Sequence, residues 1–181
     1  MVAMGIGLLG APGIIIKRKF RFTIEISTPS GSIPVWFVKL GSRPQLDIEE
    51  QEVNFLNAVT WIPGKARWQP LTITYYDVAD GLLAPLYNWV ASVYNHQQPA
   101  TLGMSEKCGW AGTAIISMYD GCGSRLETWT LTSCWPTSIN FGDLDYADSD
   151  IASIELTVRY SEAKMQGGCR TPTPSGNCCG C

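Results

Sequence analysis

The residues with chemical capacity are few in this 181-residue chain, and their spacing decides what they can do. Seven cysteines are an odd number, so at least one has no intrachain partner. Four of them, Cys169, Cys178, Cys179 and Cys181, crowd the C-terminal end, while Cys108, Cys122 and Cys134 sit in the body. A zinc site usually takes two ligand pairs spaced C-x₂₋₄-C, whereas this end has a vicinal pair and one C-x-C. Disulfides, a metal clip and plain thiols therefore all stay open for the cluster, with disulfides the favoured reading because Gly-flanked thiols meet easily. The single histidine, His96, stands between Asn95 and Gln97. It gives no Ser-His-Asp or Cys-His pair and no multi-histidine metal site. Asp143, Asp145, Asp148 and Asp150 alternate like a cation loop, but Ala147 occupies the third ligand position and no Gly follows. Glu49, Glu50 and Glu52 read as a solvated acidic face. Gly5, Gly7 and Gly10 spell a dinucleotide fingerprint without the preceding strand and following helix that the phosphate needs. No enzyme chemistry, cofactor or metal is expected.

Those sparse groups sit on a chain that reads as strands. Lys17 to Ile26 alternates, with Phe20, Phe22, Ile24 and Ile26 on one face. Ile33 to Leu40 is a second apolar run, Gln45 to Asn57 is either a strand or an irregular acidic loop, and Pro63-Gly64 reads as a turn. Leu71, Ile73 and Tyr75 alternate with Thr72, Thr74 and Tyr76. One amphipathic helix is expected over 82–95, with Leu82, Leu86, Trp89, Val90, Val93 and Tyr94 as its apolar stripe and Pro85 in its first turn. His96 to Gly112 reads as a loop. Thr113 to Tyr119 and Arg125 to Ser133 form a hairpin closed by Asp120-Gly121-Cys122-Gly123, and Trp135-Pro136 is expected to end the second strand. Ile151 to Tyr160 puts Ile154, Leu156, Val158 and Tyr160 against Ser153, Glu155, Thr157 and Arg159. The sum is a mainly β domain, a β-sandwich or barrel with one flanking helix.

Three regions follow: an apolar N-terminal arm over 1–16, a β domain over 17–162, and a Gly/Pro/Cys-rich tail over 163–181. The arm is broken by Gly5, Gly7, Gly10, Pro12 and Gly13, and its basic cluster Lys17-Arg18-Lys19 follows rather than precedes it. Neither an export signal nor a membrane span is expected. A loose end, a lipid contact and an arm that docks on another subunit are the readings available; the apolar content of Ile6, Leu8, Leu9, Ile14, Ile15 and Ile16 favours docking. Charged residues make up only 16% of the chain and the net charge is −3. That excludes a basic nucleic-acid footprint and suits a subunit that hides much of its surface against copies.

The order of several segments carries a resemblance. Trp129-Thr130-Leu131-Thr132-Ser133-Cys134-Trp135-Pro136 precedes Gly142-Asp143-Leu144-Asp145, then Ile151-Ala152-Ser153-Ile154-Glu155-Leu156-Thr157-Val158-Arg159-Tyr160. Upstream lie Ile62-Pro63-Gly64, Trp68-Gln69-Pro70-Leu71-Thr72-Ile73 and the Asp80 to Trp89 segment. This set resembles the major tail tube proteins of contractile-tailed, T4-like bacteriophages over residues 17 to 162. The arm and the cysteine-rich tail have no counterpart in that pattern.

The resemblance implies six subunits per ring, stacked rings and a hollow tube in the virion tail, assembled in the host cytoplasm. Sheath, baseplate and tail terminator proteins would be its partners, with tape-measure protein and DNA passing through the bore and no membrane involved. Tubes of type VI secretion and other contractile injection systems are the near alternative; a cysteine-rich metal-binding or redox protein is the distant one. In a closed barrel one face meets the lumen. The resemblance therefore makes Thr72, Thr74, Thr128, Thr130, Thr132, Ser153, Glu155, Thr157 and Arg159 lumen candidates. The arm lies outside the resemblance; from their apolar character alone, Ile6, Leu8, Leu9, Ile14, Ile15 and Ile16 are expected to pack on a neighbouring subunit in the adjacent ring. Cys169, Cys178, Cys179 and Cys181 are candidates for interchain disulfides in a repeating assembly.

Overall fold

A computed structural model describes residues 17–79, 81–95, 107–147 and 149–167. Among the described residues, ten strands and two helices run in the order β1 (Phe22–Thr28), β2 (Gly31–Ile33), β3 (Val38–Gly41), β4 (Leu46–Phe55), β5 (Ala58–Trp68), β6 (Leu71–Tyr76), α1 (Ala84–Val93), α2 (Lys107–Trp110), β7 (Gly112–Tyr119), β8 (Arg125–Asn140), β9 (Ser153–Arg159) and β10 (Glu162–Gln166). All pairings are antiparallel.

β8 organises the molecule. Its first half lies between β7 and β10, in a layer that continues through β1 to β2. Its second half pairs with β9, which leads to β6 and β3. The change of layer falls at Ser133, which sits in the left-handed region at φ 54°. Such a residue locally breaks the pleat, and strands that pass between layers do so at bulges and bends. The expectation that Trp135-Pro136 ends this strand is therefore corrected. Pro136 stays within β8 because there the strand has a partner, β9, on one side only, and a missing N–H is harmless on an open edge.

The inward faces of the two layers meet in one core. Ile24 and Ile26 of β1, Ala114 and Ile116 of β7 and Leu131 of β8 pack with Leu71, Ile73 and Tyr75 of β6 and Ile154, Leu156 and Val158 of β9. The alternation read from the sequence placed Ile24, Ile26, Leu71, Ile73, Tyr75, Ile154, Leu156 and Val158 correctly, whereas Phe20, read onto the same face, precedes β1 and is exposed. The fold is mainly β with antiparallel layers, but the strands do not close into a barrel within one subunit, so the barrel half of the expectation is corrected. β3 and β2 are terminal strands of the shared sheet.

α1 caps one end of the core. Leu83, Leu86 and Trp89 are fully buried, and Trp89 Nε1 donates to the Trp110 carbonyl at 2.7 Å. Leu82 and Tyr94 of the expected stripe are exposed instead, because both lie outside the helical turns that set its phase. Gly112 is obligatory below the indole. A Cβ there would come within 2.9 Å of the Ser27 carbonyl and 3.3 Å of the Trp89 ring.

Three further expectations change. Ile33 to Leu40 is not one strand. Pro34 cannot donate into a ladder, and Val35–Phe37 turn as a 3-10 helix between β2 and β3. Pro63-Gly64 is not a turn but part of β5, accommodated by a register shift opposite Ile48 and Glu50. Residues 163–166, assigned above to the tail, form most of β10: they pair with Thr128 to Leu131, and Ala163 is buried in the core.

Candidate assembly surfaces

Two outward faces, one long arm and one buried charge are the features that a site must be built from. The register fixes the outward face of the β3–β6–β9–β8 layer. Thr72 stands opposite Thr157, which stands opposite Ser138; Thr74 stands opposite Glu155, which stands opposite Asn140. Ser153 lies opposite Tyr76 and Arg159 opposite Trp135. Glu155 and Arg159 are exposed, and Thr72, Thr74, Ser153 and Thr157 are half-buried. On the other layer, Thr128, Thr130 and Thr132 stand opposite Ser117, Ile115 and Thr113 on one side and Gln166, Lys164 and Glu162 on the other. All nine lumen candidates thus point away from the core, but they divide into six on one layer and three on the other. The two layers present these faces in different directions.

The edges of the layers differ. In the β3–β6–β9–β8 layer, β3 pairs with β6 alone and Trp135–Asn140 of β8 pair with β9 alone, so this four-stranded layer has two unpaired edges among the described residues. On the other layer the edges are the three-residue β2, which α1 flanks, and the five-residue β10. Short, flanked edges discourage pairing, and long open ones invite it.

β4 and β5 form a separate two-stranded ladder from Leu46 opposite Trp68 to Phe55 opposite Ala58. Ten residues at about 3.3 Å each give an arm roughly 30 Å long. It is anchored at its base, where Asp47 accepts from Gln45 and Gln69 and Trp68 packs on Tyr160. Beyond the base, Ile48, Val53, Phe55, Val59, Trp61 and Ile62 are exposed, Phe55 by 73%. A lone hairpin is marginal in water, and an apolar one of this length marks an interaction surface. The sequence reading missed this arm. The signal was Phe55-Leu56-Asn57-Ala58: a two-residue turn flanked by the alternating pairs Val53/Phe55 and Val59/Trp61.

Glu127 is the buried charge. It is 4% exposed, yet it sits on the inward face opposite Met118. Lys17 Nζ donates to it, Arg43 Nη2 does so at 3.1 Å, and Trp129 Nε1 donates to its other oxygen. Burial pushes the carboxyl up, but the bonds from Lys17 and Trp129 and the Arg43 and Lys17 charges outweigh it and hold the pKa below the ordinary value. Lys17 and Arg43, the two cations paired with Glu127, also line a cavity of about 530 Å³ between β1, β3 and β7.

Among the cysteines, Cys134 is fully buried and burial pushes its thiol up to about 11, so it is inert at neutral pH. Cys122 is exposed in the β7–β8 turn. No disulfide joins the described residues. Cys169, Cys178, Cys179 and Cys181 lie outside the described residues, as do Ile6, Leu8, Leu9, Ile14, Ile15, Ile16 and His96. Among the described residues no group of three or more His, Cys, Asp or Glu could hold a metal, and no helix is long and apolar enough to cross a membrane.

Comparison with known proteins gives a consistent picture. Residues 18–164 match the family model for T4-like virus tail tube protein gp19. No curated protein matches by sequence. Solved structures with the same fold include a chain of the anti-feeding prophage tube-terminating cap (TM-score 0.69, 18% identity, 91% of this chain and 100% of that chain). A chain from the sheath/tube terminator of the PVC extracellular contractile injection system aligns with TM-score 0.67 and 21% identity over 87% of this chain and all of that one. A chain from the PVC sheath-tube complex aligns with TM-score 0.62 and 20% identity over 92% and 100%.

Proposed function

The chain belongs to the T4-like virus tail tube protein gp19 family, a family of structural tube proteins, and from that premise we propose how it builds its tube. Six subunits form a ring, rings stack, and the bore conducts DNA and tape-measure protein in a virion tail. The observation that carries this is the four-stranded layer with two unpaired edges. Pairing β3 of one subunit with Trp135–Asn140 of the next is a heterologous contact that closes into a ring and leaves no edge. The face of that layer then lines the bore, which selects Thr72, Thr74, Ser153, Glu155, Thr157 and Arg159 from the nine candidates. Thr128, Thr130 and Thr132 fall on the outer layer. The hydroxyls hold water, and Glu155 on the same face balances Arg159, so the bore carries no net positive charge from these six residues to grip DNA. The exposed apolar hairpin supplies contacts between subunits of adjacent rings, and apolar residues of the N-terminal arm add to them.

Sheath, terminator and baseplate proteins are the partners this role requires. Likeness to the PVC and anti-feeding prophage chains supports that set and favours a second reading, the tube of an extracellular contractile injection system. The cargo found in the bore separates the two. The tail cysteines act as a late lock. Two thiols of neighbouring chains lose two electrons and two protons to an external oxidant after assembly, each bond adding about 2–4 kcal/mol where geometry allows. A non-reducing gel of assembled particles reads this directly: a ladder that collapses on reduction is expected, and a monomer band unchanged by reductant excludes interchain bonds. For the tube itself, a cryo-EM reconstruction of the polymer is expected to place Thr157 and Glu155 on the bore. A bore lined by Thr130 and Lys164 would overturn the face assignment.

A further inference from the structure

The cavity between β1, β3 and β7 has an apolar floor and a cationic rim. Phe22, Ile24, Ile116 and Met118 form the floor, Leu40 stands at the side, and Lys17, Lys19 and Arg43 ring the mouth. Gly41 lets β3 approach this floor, since a Cβ there would collide with the Ile24 side chain. Nothing among the described residues fills it, although it opens directly onto the core of the sandwich.

We propose that Ile14, Ile15 and Ile16 of the same chain plug this cavity, and that only the distal part of the arm, Ile6, Leu8 and Leu9, is left to reach a neighbouring subunit. Three observations on this molecule select that occupant. The described chain begins at Lys17, which lines this cavity and whose Nζ donates to Glu127, so residue 16 starts one peptide from a lining residue. Three residues span at most about 10 Å, which suffices to enter the cavity from its rim. The three residues concerned are consecutive isoleucines, matched to an apolar floor and preceded by Pro12-Gly13, a natural point for the chain to change direction. A segment tethered at the mouth also outcompetes a segment of another copy, because its effective concentration is in the millimolar range or above without any assembly. Glu127 thus acts as a clasp: its ion pair fixes the exit point that brings the plug to its socket.

This inference concerns the unassembled subunit and does not depend on the tube geometry. The test places a photoreactive amino acid at position 15 in the full chain and mixes light and ¹⁵N-labelled subunits at a concentration that keeps them unassembled. Cross-links from position 15 to peptides carrying Phe22, Leu40 or Met118, all pairing equal isotopes, are expected. Mixed-isotope pairs would assign the cavity to a second copy, and absence of links to those peptides would leave it without this occupant; either overturns the proposal. Melting of two variants provides the second readout. Deleting residues 2–13 should leave the subunit's melting temperature unchanged, whereas Ile14→Ser, Ile15→Ser and Ile16→Ser together should lower it by about 5–10 °C. Equal melting of the two variants contradicts the plug. Polymerisation plays no part in either readout, so a failed plug leaves the tube reading standing, and a failed tube leaves the plug.

Discussion

Glu127 is the residue whose removal is most informative. It is buried, charged and bonded to groups from three separate segments of the chain. Glu127→Ala should cost about 1–2 kcal/mol, modest for a buried carboxylate because Lys17 and Arg43 are themselves half exposed and regain water. Its pKa is depressed in the fold, so its contribution is fully present above the unfolded value, near 4.5, and is lost as the pH falls through the lower folded value. Chemical denaturation of the wild-type subunit should therefore weaken as pH falls through that window, and Glu127→Gln should flatten that part of the dependence. An unchanged acid limb in Glu127→Gln would mean the ion pairs contribute nothing. Tyr75 makes the opposite case. Its hydroxyl is buried without a hydrogen-bond partner and burial raises its pKa. Tyr75→Phe removes an unsatisfied group at constant shape, so calorimetry should find the variant as stable as wild type or more so.

At the scale of elements, β8 and the hairpin matter most. Ser133 holds a left-handed backbone at the point where β8 leaves one layer for the other. A β-branched side chain is strained there and glycine is not. Ser133→Val should lose about 1–2 kcal/mol, while Ser133→Gly should stay within about 0.5 kcal/mol of wild type by denaturant titration. The hairpin calls for a different readout. Trp61→Asp and Phe55→Asp alter side chains that the subunit leaves exposed, so circular dichroism and melting should hardly change while polymer yield collapses. A variant that melts early would place these side chains in the subunit's own fold instead.

Both elements also mark where the sequence was legible and where it was not. Period-2 alternation identified Ile24, Ile26, Leu71, Ile73, Tyr75, Ile154, Leu156 and Val158 as core because those strands bury one face each. The hairpin escaped because neither of its faces is buried in one subunit: its alternation is confined to the pairs beside the turn, Val53/Phe55 and Val59/Trp61, and the acidic run Glu49, Glu50 and Glu52 interrupts it. Pro63-Gly64 and Trp135-Pro136 read as breaks because proline cannot donate, yet each lies in a strand paired on one side only, where a missing N–H is harmless. The outward threonine rows were legible as rows. Their division between two layers was not, because it depends on the bend at Ser133, and nothing local marks that residue for a positive φ.

At the scale of the whole molecule, low charge, two open edges and a 30 Å apolar arm are different expressions of one property: the subunit is incomplete alone. Light scattering of the purified full-length chain, with negative-stain images of the same sample and metal analysis, measures that property directly. The account predicts megadalton particles or discrete ring oligomers, hollow in projection, with no stoichiometric metal. A monodisperse species of about 20 kDa carrying stoichiometric metal would contradict it, and would turn attention to the cysteine cluster as the active element.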